Sequence, residues 1–116
     1  MNRYAATGMM LDALDGKTIL VLVHPGPALR AAMDEVRAVL PDDPDTFELR
    51  RTNGAEQIRL PSGSRIRFTH HHKLDALRGM SADVVYLDPE VDRQLTVHQW
   101  NDLRAAVRPS GEIIRA

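Results

Sequence analysis

The chain has 116 residues, 43% of them hydrophobic, a formal net charge of −1 and no cysteine. That length suits one domain, 1–116, with one core, and the near-zero charge excludes a global field drawing the protein to nucleic acid or membrane, so any such contact needs a local patch. The absence of cysteine excludes a disulfide framework and thiolate metal sites, and no run approaches the ~18 apolar residues of a spanning helix.

In chain order, residues 5–14 read as a helix with Met9, Met10, Ala13 and Leu14 as its apolar stripe, ended by Asp15-Gly16. Residues 18–23, Thr-Ile-Leu-Val-Leu-Val, are a continuous apolar run of strand formers. Such a run predicts a strand buried on both faces, as in a parallel sheet. His24 to Pro27 form a loop by composition, and 28–40 a helix with Leu29, Met33, Val36 and Leu40 at spacings of three and four. Pro41 to Asp45 make an acidic turn, and Phe47 and Leu49 suggest a short strand.

A hairpin follows. Ile58 and Leu60, then Ile66 and Phe68, alternate with polar residues around the turn Pro61-Ser62-Gly63-Ser64. Period two puts those four on the core face and Arg59, Arg65 and Arg67 together on the other. His70-His71-His72-Lys73 read as a solvated loop, and Arg78-Gly79 as part of a turn. Residues 84–87, Val-Val-Tyr-Leu, are the second apolar run of strand formers, followed by Asp88-Pro89-Glu90. A helix over 97–108 carries Val97, Trp100, Leu103, Ala106 and Val107 on one face, with Thr96 and Gln99 spaced for a capping box. Pro109-Ser110-Gly111 closes it, and 112–115 form a last short strand. The expected class is α/β: a mostly parallel sheet of four to six strands, three flanking helices and an added antiparallel hairpin.

Three groups of residues offer chemistry. In open α/β sheets ligands bind outside the carboxyl ends of the strands; Asp88, Glu90 and His24 lie at such ends. Arg59, Arg65, Arg67, Lys73 and Arg78 form the densest basic region, suited to a phosphate backbone. Few aromatic residues accompany them, which argues against stacking on single-stranded bases. His70 and His72 are candidate metal ligands, with Asp75 or His24 to complete a set. On an extended strand at most two of three adjacent histidines converge.

The order of these segments resembles the ATPase core of phage large terminase subunits and related helicase-like P-loop NTPases. The matching pieces are 18–23 with His24-Pro25-Gly26, the helix 28–40, Ile58 to Phe68 with Gly63-Ser64, Leu77-Arg78-Gly79, and Asp83 to Asp88. The resemblance implies a truncated P-loop-NTPase-like fold, a phage or prophage origin, and Asp88 in the magnesium position. Two features depart from it. A P-loop needs G-x-x-x-x-G-K-[ST] between a strand and a helix, whereas Gly16-Lys17-Thr18 supplies only its end and opens a strand. In the family a glutamate directly follows the aspartate; here Pro89 intervenes, restrains Asp88 to extended geometry and displaces Glu90.

These departures make a non-catalytic, cofactor-free module the leading expectation. It contacts nucleic acid or a phage or host protein, sits in the (host) cytoplasm, and covers an exposed sheet edge by self-association. The alternatives are a small ATPase using magnesium and ATP, completed by a partner's P-loop, and a metal-dependent nuclease built on Asp88, Glu90 and the histidines.

Overall fold

A computed structural model describes residues 3–40, 48–50, 56–61, 63–77 and 80–115. The element order is α1 (Arg3–Leu14), β1 (Ile19–Leu22), α2 (Pro27–Val39), β2 (Glu48–Arg50), β3 (Gln57–Arg59), β4 (Arg65–Thr69), a 3₁₀ segment (His71–Leu77), β5 (Ala82–Leu87), α3 (Pro89–Asp92), α4 (Val97–Ala105) and β6 (Val107–Arg115). The six strands form one sheet in the order β2-β3-β4-β1-β5-β6. β4, β1, β5 and β6 run parallel, while β2 and β3 are antiparallel additions. The α/β class, the predominantly parallel sheet and the added hairpin thus follow the sequence reading. Among the described residues no helix is long and apolar enough to cross a membrane.

The two apolar runs take the central places because only strands covered on both sides can bury every residue. Ile19 and Val21 of β1 and Val23 just after it, with Val84 and Tyr86 of β5, enter a core under α1 and α2. Leu20, Leu22, Val85 and Leu87 enter a second core under the 3₁₀ segment, α3 and α4. The hairpin is half-covered. Ile58, Leu60, Ile66 and Phe68 join the first core, as the alternation predicts. Its turn places Gly63 at φ 88°, and the Gly63 N–H donates to the Leu60 carbonyl at 3.0 Å. That left-handed conformation is the one glycine adopts without steric cost.

One partly buried polar contact fastens α1 to the sheet. The Tyr86 hydroxyl donates to the Asp12 carboxylate at 3.2 Å, and Lys17 approaches the other Asp12 oxygen at 3.4 Å. Burial first, then the Asp12 charge and hydrogen bond, push the Tyr86 phenol up to about 12. Neutral phenol is therefore favoured by the folded state. Its stabilisation holds up to the ordinary tyrosine range near 10 and is lost as pH rises toward 12. An ultraviolet titration of Tyr4→Phe protein, which leaves Tyr86 as the sole tyrosine, should show ionisation near 12; ionisation in the ordinary range would refute the contact.

Several local expectations are corrected. Leu14 is 55% exposed, so the buried stripe of α1 is Ala6, Met9 and Ala13. Val97 is 80% exposed and Trp100 only half-buried, so neither is a core residue. The Arg115 guanidinium instead lies 5.2 Å from the Trp100 ring centroid, a cation–π distance. α4 ends at Ala105, and β6 already pairs at Val107, because Val107 lies opposite Ala82; the ladder then breaks and resumes at Glu112 opposite Val84. The capping box is present: Thr96 Oγ1 accepts from the Gln99 N–H, and Gln99 Oε1 from the Thr96 N–H. Pro41 to Phe47, Ser62, Arg78 and Gly79 lie outside the described residues, as does the Asp75 side chain.

Candidate functional site

The chain leaves β1 over the first face, toward α2, and leaves β5 over the second, toward α3 and α4. The loops therefore diverge at the carboxyl ends of two neighbouring strands, where open α/β sheets hold ligands. Asp88 stands there: its N–H donates to the Leu22 carbonyl at 3.1 Å. Its φ of −62° and ψ of 132° are the extended geometry that Pro89 imposes. The Asp88 carboxylate is engaged as the N-cap of α3, accepting the Glu90 N–H at 2.8 Å. Glu90 is turned to solvent and paired with Arg93 at 2.6 Å. The sequence missed α3 because a four-residue helix has no apolar period to show.

The histidines behave differently from expectation. The chain after β4 turns into a 3₁₀ segment instead of an extended loop, so strand alternation does not apply. His71 is 5% exposed, which overturns the solvated-loop reading for it. Its ring lies 4.0 Å from that of His72 and 5.8 Å from that of His24, centroid to centroid; His70 lies 5.6 Å from His72. Nδ1 of His70 and Nδ1 of His71 are buried without a hydrogen-bond partner. His70 and His72 are thus near one another. Among the described residues, though, no three His, Asp or Glu side chains converge in this conformer on one point fit for a metal.

Burial first, then the neighbouring His72 charge, hold both His70 and His71 below the ordinary histidine range; Lys73 adds to this at His70 and His24 at His71, with Glu56 opposing at His70. A base whose folded pKa is lowered binds fewer protons folded than unfolded. Its neutral form therefore supports the fold above the ordinary pKa of 6.5, and that support is lost as pH falls below it. The melting temperature, measured with a chelator in the buffer, should fall between about pH 7 and 5, and fall less in His71→Gln. Parallel profiles for the two proteins would refute this.

The basic residues divide. Arg59 stands directly opposite Arg65, and Arg67 opposite Gln57 on β3 and Leu20 on β1. Residues paired across a sheet share a face, with Cβ atoms roughly 5 Å apart. The three arginines therefore continue the face of Leu20 and Leu22. Arg59 and Arg65 are exposed and Arg67 half-exposed. Glu48 of β2 stands opposite Arg59. Among the described residues none of the three guanidinium groups has an ion-pair partner. Phe68 is buried on the opposite face, so it is removed from any stacking role there. Lys73 lies elsewhere. It lines a cleft at the carboxyl edge with Pro25, Gly26, Leu29, Glu56, Thr69 and His70.

No protein-family model matches the chain, and no curated protein matches it.

Proposed function

We propose that the protein is a non-catalytic binding module of terminase-like ATPase descent, and that it grips the phosphate backbone of duplex nucleic acid through Arg59, Arg65 and Arg67. The observation that carries this reading is the placement of those arginines side by side on the uncovered face of β3 and β4. A charged face with no exposed aromatic ring among the described residues suits a backbone contact, and neither base stacking nor groove insertion. Lys73, displaced to the carboxyl edge, is not part of the footprint. The descent rests on the order of segments alone. The absence of catalysis rests on Gly16-Lys17-Thr18 leading into β1 instead of a helix, on Asp88 capping α3, and on Glu90 pairing with Arg93.

The test is fluorescence anisotropy with a labelled duplex over a range of salt. Three phosphate contacts predict a slope of log K against log salt of about −2.7. No binding at low salt, or binding insensitive to salt, would refute the reading. Calorimetry with ATP and magnesium, on wild type and Asp88→Asn, tests the catalytic alternative. Heat in wild type that vanishes in the variant would favour the ATPase.

A further inference from the structure

We propose that the cleft between the 3₁₀ segment and α4 binds a borderline divalent metal ion, zinc or a zinc-like ion, through His71, His72, His98 and Asp102. This is a different set from the His70 and His72 pair that the sequence suggests, and it is separate from the arginine face.

The cleft measures about 220 Å³ and is lined by those four residues with Leu74 and Gln99. Three imidazoles and one carboxylate are the donor set that zinc, cobalt and nickel prefer, and magnesium and calcium do not. Among the described residues no lysine or arginine lines the cleft to compete for the place. Half of the set is already gathered. His98 and Asp102 are four residues apart on α4, and Nε2 of one lies 3.5 Å from Oδ2 of the other. The other half comes from the 3₁₀ segment, where the His71 and His72 rings lie 4.0 Å apart. The two elements are held to each other, since Gln99 Nε2 donates to the His71 carbonyl at 3.4 Å.

His71 supplies the independent sign of a missing ligand. The residue is 5% exposed, yet its Nδ1 is buried with no hydrogen-bond partner. A buried polar group left unpaired calls for an explanation, ion binding among them. A metal on one ring nitrogen would also fix the tautomer of the ring. The donors do not meet at a point in this conformer. The two that must move are free to do so: the His98 side chain is 81% exposed and His72 is exposed. The proposed site requires both to rotate over the cleft about their own side-chain bonds.

The experiment uses untagged protein. Cobalt(II) titration followed by visible absorption, and zinc(II) titration by calorimetry, should each show one ion per chain. His98→Ala and Asp102→Asn should each weaken zinc binding by about tenfold or more. His70→Gln should leave it unchanged. His98 is on the surface, so its removal leaves the fold intact; a melting curve without metal confirms this. Absence of binding in wild type overturns the site. So does binding that is equal in wild type and His98→Ala, which would assign the ion to the histidine tract alone, or binding abolished by His70→Gln.

Discussion

Replacement of Arg59, Arg65 and Arg67 together by alanine should lower duplex affinity by more than about a hundredfold at roughly 50 mM salt, and flatten the salt dependence almost to zero. The reason is counterion release. Each phosphate neutralised contributes about 0.9 to the slope, so each single Arg→Ala should remove about one unit of it. The effect should be the same for duplexes of different sequence, because a backbone contact carries no base information. Arg59 and Arg65 are exposed cross-strand neighbours, so their mutual repulsion also disappears in the variant. The triple variant should therefore melt no lower than wild type. Lys73→Ala, at the carboxyl edge, should change the slope little. A triple variant that binds with undiminished slope would move the footprint off the hairpin.

Phe68→Ala should be the most damaging single truncation in the first core, at about 3–5 kcal/mol. Phe68 is 1% exposed and heads the fully buried side chains by volume. It sits on β4, where the hairpin joins β1, facing α1 and α2. A domain of this size commands only about 5–15 kcal/mol in all. The melting temperature should fall by roughly 12 °C or more, at about 4 °C per kcal/mol. Phe68→Leu, which keeps most of the volume, should cost less than about half as much. Leu103→Ala probes the second core, where Leu103 is fully buried, and should cost about 2–5 kcal/mol. The two residues belong to separate cores on opposite sides of the sheet, so the losses should add within about 0.5 kcal/mol. Chemical denaturation of the three variants and the double variant checks this; a Phe68→Ala loss below about 1 kcal/mol would contradict the packing.

The legible parts of this molecule were those encoded by short-range period. The runs at 18–23 and 84–87 announced doubly covered strands, the three-and-four spacing announced α2, and strict alternation gave the hairpin its core face and its arginine face. Thr96 and Gln99 announced the start of α4 by local hydrogen bonding. What stayed hidden depends on partners far along the chain. His71 is buried because α4 packs over the 3₁₀ segment, and His98 and Asp102 join it in one cleft from dozens of residues away. No window around residue 71 contains that fact. β6 begins at Val107 because Ala82 offers it a ladder, against the helical period of 97–108. Trp100 looked like a core residue by spacing, but the stripe it belongs to reaches only the margin of the second core, where Arg115 meets the ring.

The central place of β1 has a consequence for how the chain is made. β1 begins at Ile19, yet the strands on its two sides begin their pairing at Ile66 and Val84. During synthesis at about 5–20 residues per second, its four apolar residues wait several seconds for the second neighbour. Closing such long loops is slow compared with forming helices. An unpaired, unshielded strand of this kind is what chaperones hold and what drives nascent chains to stick to one another. Yield in a cell should therefore respond to growth temperature and chaperone supply more strongly than the stability of the finished protein suggests.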